Sequence, residues 1–225
     1  MNTDKYLEDI HEIKTMMSRS SKFMSLSGLS GILAGIFAII GSAIAFIKIT
    51  AFKQIFPNTN RKNVVDTYTN LENNHQYFNE LKNDLIIIAL FVLITSILTG
   101  LILSYRKSRQ QQSPMWNATS KRFLINFLIP LITGGLFILA ILNKRYYDLI
   151  VPSTLIFYGI SCIMASKYTY RDIKYLGAIL ITLGLIATFF IGFGIELWTL
   201  GFGLCHIIFG GIIYLKYDRN NASKG

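Results

Sequence analysis

The sequence is poor in charged residues. Asp, Glu, Lys and Arg make up 15% of its 225 residues, whereas a soluble domain averages about 25%. Charge is absent from six runs of 18–25 residues, which are 23–47, 85–105, 123–143, 149–166, 175–195 and 197–215. A helix of that length crosses a hydrocarbon core about 30 Å thick. This distribution excludes a soluble enzyme, a nucleic-acid-binding module and a secreted disulfide scaffold.

Residues for metal or thiol chemistry are also scarce. Cys162 and Cys205 lie inside uncharged runs, where we expect them to be small apolar fillers. The three histidines, His11, His75 and His206, fall in different regions of the chain. A metal site in a helical bundle needs several ligands projecting from facing helices. We therefore predict no metal and no cofactor. We also predict no catalytic residue, because the uncharged runs hold no acid–base set, and no direct contact with nucleic acid, because the composition excludes such a module.

The six runs predict an all-α, polytopic membrane protein. In lipid every backbone polar group must be satisfied within the protein, and these runs lack the alternation of barrel strands. The bundle is expected over 23–215, with an outer loop at 48–84 and a tail at 216–225. Before it, residues 1–22 carry an apolar stripe at helical spacing, formed by Tyr6, Ile10, Ile13 and Met17. That stripe predicts a cytoplasmic amphipathic helix, which lies either on the inner leaflet or against the bundle.

Basic residues predict the orientation. Lys and Arg near span ends stay on the cytoplasmic side of the membrane. With both termini inside, 15 of the 22 basic residues face the cytoplasm and 7 face outward. The strongest contribution comes from the connection 104–122, which has five basic residues and no acidic one. The sequence therefore predicts an N-in, C-in protein of the bacterial cytoplasmic membrane.

Small residues predict where the helices pack. In the first span they recur at spacings of three and four and form one face, comprising Gly31, Gly35, Ala38, Ser42 and Ala45. Close backbone approach along such a face drives helix pairing in lipid. The partner is either another span or a second copy of the chain. A second pattern, the similarity of 131–137 to 180–186, indicates a tandem repeat of helical hairpins.

His206 is the one ionisable residue of type Asp, Glu, Lys, Arg or His within the six runs. Such residues in a membrane are functional candidates, so His206 is a candidate ligand-binding residue. The alternative is a neutral residue that hydrogen-bonds between helices. Gly28–Gly31 and His206–Gly210 also resemble the serine and histidine motifs of rhomboid proteases. In that family the serine motif is in the fourth span, whereas Ser30 lies in the first, so an intramembrane serine protease is a remote alternative.

Three segments resemble an uncharacterised family of six-span bacterial inner-membrane proteins. The resemblance covers most of the chain and is carried by 16–31, by 154–159 together with 165–169, and by 201–206. It implies no known activity and therefore no catalytic residue. The resemblance also implies a link to signalling, because members of that family are often encoded beside a small winged-helix regulator.

These features lead to two functional hypotheses. The first is a non-enzymatic bundle that senses or scaffolds, with the lipid bilayer, a cytoplasmic protein and a further copy of the chain as its candidate partners. It depends on the absence of a buried acid–base set and on the basic cytoplasmic surface. The second is a facilitative transporter of a small neutral or apolar solute, suggested by the tandem hairpins.

The orientation generates a labelling prediction. In a variant in which Cys162 and Cys205 are serine, Asn60→Cys should react with a membrane-impermeant maleimide in intact cells, because 48–84 is predicted to lie outside. Gln111→Cys should react only after the cells are permeabilised. Labelling with the opposite pattern would contradict the N-in, C-in orientation.

Overall fold

The described part of the chain forms six long helices. The computed structural model describes residues 26–55, 75–110, 116–190 and 192–219, and no strand occurs within these ranges. The helices are α1 (Gly28–Ile55), α2 (His75–Gln110), α3 (Ala118–Asn143), α4 (Ile150–Ala165), α5 (Asp172–Phe189) and α6 (Gly194–Asp218). With its flanking 3-10 turns, α4 spans Tyr147–Tyr168, and all six are long and apolar enough to cross a membrane. The all-helical fold with six such helices is confirmed, and it indicates a multi-pass membrane protein.

Two of the helices extend well beyond the uncharged runs. α1 continues past Lys48 to Ile55, and α2 begins at His75 and reaches Gln110. A helix that leaves the hydrocarbon keeps its own backbone hydrogen bonds, so the first charge marks the end of the lipid-embedded part and not the end of the helix. The predicted helix at 1–22, most of the outer loop (56–74) and the last tail residues (220–225) lie outside the described residues.

The helices are arranged so that the first and the last described residues of the chain lie next to each other. α1 packs against both α2 and α6, while α4 packs against α3 and α5. The backbone N–H of Gly28 at the start of α1 donates to Asp218 at the end of α6, at 2.9 Å. Residues 26–28 and 218 therefore lie at one end of the bundle, which we call the basic end because α2 and α6 bring Arg106, Lys107, Arg109 and Arg219 there. The tandem repeat stays a prediction.

The small-residue face of α1 lies against other helices of the same chain. Gly35, Ala38 and Ser42 are buried and Gly31 is half-buried. A Cβ atom added to Gly35 would come within 2.6 Å of the Gly203 carbonyl oxygen, and one on Gly31 within 3.1 Å of the Gly210 Cα. Because α6 occupies the glycine end of this face, that surface is not open to a second copy.

A comparable contact joins α4 to α5. A Cβ atom on Gly159 would lie 2.7 Å from the Gly177 carbonyl oxygen, and one on Gly177 would lie 2.6 Å from the Gly159 carbonyl oxygen. Beside this contact, Leu155 and Leu180 are completely buried. The absence of side chains at the two glycines thus allows the backbones to approach closely, which is how helices associate in lipid.

The glycine contact between α1 and α6 generates a stability prediction. Gly35→Ala should destabilise the protein by about 1–3 kcal/mol, as overpacking does, because the added methyl group meets backbone atoms of α6. The matched control is Gly100→Ala on α2, where an added Cβ has no atom within 4 Å. We expect that control to be neutral or slightly stabilising, since alanine is the better helix former.

Thermal unfolding of the two variants in detergent measures the difference. Equal midpoints for Gly35→Ala and Gly100→Ala would contradict the close packing of α1 on α6.

Candidate functional site

His206, the candidate identified from sequence, lies near the middle of α6 in the packed interior. Its side chain is 7% exposed. It directly follows a π-helical stretch, Thr199–Cys205, within α6. π-Helical turns are rare and are often found at functional sites.

Both ring nitrogens of His206 have partners. Nδ1 lies 3.0 Å from the Gly201 carbonyl oxygen on the same helix, and Nε2 lies 3.0 Å from the Tyr158 hydroxyl on α4. A carbonyl can only accept a hydrogen bond, so Nδ1 carries the proton. In the neutral ring Nε2 then accepts from the Tyr158 O–H. His206 is thus fully satisfied as a neutral residue that joins α6 to α4.

Aromatic rings surround this pair. The Phe202 ring lies 5.1 Å from that of Tyr158 and 5.7 Å from that of His206, centroid to centroid. Phe127 of α3 meets the edge of Tyr158 at 5.7 Å, and Trp198 contacts Phe202 at 5.0 Å. The surroundings of His206 are therefore mainly aromatic and closely packed, and the described residues form no polar pathway there that would favour the transporter hypothesis.

Ser30 and His206 do not form a catalytic pair. A nucleophile and its base must lie within hydrogen-bond reach of each other. Ser30 is buried, and its hydroxyl donates to the Ser27 carbonyl oxygen at 2.6 Å. The nitrogens of His206 are directed to Gly201 and Tyr158. The geometry therefore lends no support to the protease alternative.

A second group of polar residues lies buried at the basic end. We call it the polar cluster, and it consists of Lys107, Tyr170, Asp218 and the main chain of residues 26–28. Lys107 is only 9% exposed, and its ammonium pairs with the Asp218 carboxylate at 2.5 Å. It also donates to the Leu26 carbonyl oxygen and to the Tyr170 hydroxyl oxygen, both at 2.8 Å. One ammonium thus joins α2, α6, the α4–α5 connection and the entrance to α1.

Asp218 caps the start of α1 from another helix. Its second oxygen accepts the Gly28 backbone N–H at 2.9 Å and the Ser27 hydroxyl at 3.4 Å. The first N–H groups of a helix have no partner within the helix, and a carboxylate at that end is favoured by the helix dipole. Glycine is needed at 28, since a Cβ there would come within 2.3 Å of the Tyr214 nitrogen. The carboxylate therefore fixes where the chain enters the bundle.

Tyr170 closes the cluster from the side of the α4–α5 connection. It is 3% exposed and stacks on Tyr217 with a centroid distance of 4.2 Å. Burial, and secondly the negative charge of Asp218, raise the pKa of the Tyr170 phenol well above its usual value. Tyr170 therefore stays protonated at neutral pH. Tyr217 in turn donates to Asp172 at 2.9 Å, which extends the network to the start of α5.

The polar cluster is not predicted by the sequence. Lys107 is one of the five basic residues of the connection 104–122, and Asp218 belongs to the predicted tail at 216–225. One available signal was the helical spacing of Ser104, Lys107 and Ser108, which are all buried on one face of α2. The pairing itself joins residues 111 positions apart, and no local pattern predicts it.

In both sites the polar groups join helices to one another. Among the described residues, no group of three His, Cys, Asp or Glu side chains could hold a metal ion. Each polar group of the two sites is engaged with another part of the chain. The chain matches no protein-family model, no curated protein and no solved structure.

The ion pair in the polar cluster generates a prediction. Asp218→Asn should cost about 3–5 kcal/mol, because removal of one partner leaves the other charge buried and uncompensated. Adding Lys107→Met should restore part of that loss. The matched control is Asp84→Asn, which breaks the more exposed Lys48–Asp84 pair at the other end and should cost about 1 kcal/mol or less.

Unfolding of the three variants by denaturant in mixed micelles gives the comparison. If Asp218→Asn costs no more than Asp84→Asn, the buried pair does not hold the helices together.

Proposed function

We propose that this protein is a non-enzymatic bundle of the bacterial cytoplasmic membrane that senses or scaffolds, and that it acts on a cytoplasmic protein through its basic end. The observation that carries the proposal is the polar cluster. Lys107 and Asp218 bind the main chain of residues 26–28, so α2 and α6 together hold the point at which the preceding segment joins the bundle.

This arrangement links the bundle to residues 1–25. Any relative displacement of α2 and α6 alters the ion pair between Lys107 and Asp218, and with it the hydrogen bonds to Leu26 and Gly28. A buried ion pair is weak evidence for stability, and its best-attested role is to specify one register or to serve in a switch. An apolar stripe at 1–22, if helical, provides a surface through which such a displacement reaches a partner.

The interior supports the same proposal. His206 and Tyr158 satisfy each other, and the surrounding rings fill the space between α3, α4 and α6. A centre packed in this way transmits small helix movements, because closely packed interiors resist compression. The exposed surfaces of the spans are apolar, so a soluble cytoplasmic protein makes its polar contacts at the end predicted to face the cytoplasm, which is the basic end.

The test is recovery of the partner from native membranes. Tagged full-length protein, solubilised in mild detergent, should co-purify a specific cytoplasmic protein. Deletion of residues 2–22 should abolish that recovery, and Asp218→Asn should reduce it several-fold. Asp84→Asn removes the same charge at the opposite end and should leave recovery unchanged.

A fourth variant, Lys107→Met with Asp218→Asn, distinguishes binding lost through unfolding from binding lost with the ion pair. It removes both buried charges, so neither is left uncompensated. It should remain folded and still bind the partner less well than the parent. Recovery of no specific protein, or of the same protein from all variants, would contradict the proposal.

A further inference from the structure

The last turns of α2 place their basic residues on opposite sides of the helix. Lys107 is directed into the bundle and is neutralised by Asp218. Arg106 and Arg109 are exposed on the outer side. Within the described ranges neither guanidinium has a carboxylate within ion-pair distance. The outer side of α2 therefore carries two positive charges that the described part of the chain does not compensate.

An apolar surface leads directly to these two charges. Leu101 and Ile102 are each more than half exposed, and Tyr105 follows them one turn later at 52% exposure. Together with Arg106 and Arg109 they line a shallow, open groove. The Arg109 guanidinium lies over the Tyr105 ring, 5.9 Å from its centroid. From Leu101 to Arg109 the surface changes from aliphatic to aromatic to cationic over about 12 Å, at 1.5 Å per residue.

This order matches that of a phospholipid in a bilayer. Acyl chains contact aliphatic side chains, aromatic rings lie at the headgroup level, and arginine binds phosphate through paired N–H groups. Leu101 and Ile102 belong to the uncharged part of α2, which a soluble protein could reach only by entering the membrane. A lipid is already present at that depth.

We propose that this outer face of α2 is a binding site for an anionic phospholipid, with Arg106 and Arg109 on its phosphate and Leu101 and Ile102 along an acyl chain. Two guanidinium groups for which the described part of the chain provides no carboxylate favour a headgroup with net negative charge. A zwitterionic headgroup carries its own cation close to the phosphate, so its electrostatic attraction to the two arginines is weaker. Arg106 and Arg109 belong to the basic end, but none of the five residues belongs to the polar cluster, so the lipid site does not depend on the proposed function.

Native mass spectrometry of the full-length protein in detergent tests the proposal. Titration with phosphatidylglycerol should give about 30-fold tighter binding than phosphatidylcholine with the same acyl chains, since each interfacial arginine contributes about a factor of five. The double variant Arg106→Gln with Arg109→Gln should remove this preference. The matched control, Lys144→Gln with Arg145→Gln, removes two exposed charges at the other end of the bundle and should preserve it.

A third arm of the experiment distinguishes binding of the whole lipid from binding of a free phosphate ion. Excess inorganic phosphate should not displace phosphatidylglycerol, because the acyl chain contributes to binding. Equal affinity for the two lipids would overturn the proposal, as would full displacement by phosphate. An equal loss of preference in both double variants would show a general charge effect and would also overturn it.

Discussion

The cost of placing an unsatisfied polar group in hydrocarbon is the constraint on which the rest of this structure depends. It requires helices, because only there does each backbone group find its partner within one segment. The same cost explains the surroundings of the few polar side chains inside. His206 has Gly201 and Tyr158 as partners, and the buried Lys107 has an anion and two oxygen acceptors.

Polar partners alone do not hold helices together in lipid, where apolar contacts give little drive for association. Glycines supply the remaining contact by letting backbones approach. In the α1–α6 pair the two effects occur side by side, since Gly28 both packs against α6 and donates its N–H to Asp218. A larger residue at 28 would separate the helices and lengthen that hydrogen bond. Packing and charge compensation at the basic end therefore depend on each other.

The six helices could be predicted from the sequence alone, because the cost of burying charge in lipid keeps charged residues out of the membrane-spanning segments. The residues at which the helices end could not be predicted, since α2 continues as a polar helix on both sides of its uncharged run. His206 could be found because it stands alone among uncharged residues, but its partner Tyr158 depends on the packing of α4 against α6. The polar cluster was missed for a related reason. Lys107 has the sequence context of an ordinary lysine at the membrane interface, and only its tertiary contact with Asp218 distinguishes it.

The most direct test of this account measures how α2 lies in a bilayer. Spin labels placed singly from Leu85 to Ser104, in protein reconstituted in lipid, report their collision rates with oxygen and with a polar nickel chelate. The account predicts low nickel accessibility throughout, with oxygen accessibility rising and falling every 3.6 residues and highest on the face of Leu90, Ile94 and Leu101, which is exposed. High nickel accessibility along the whole segment would place α2 in water and contradict the account.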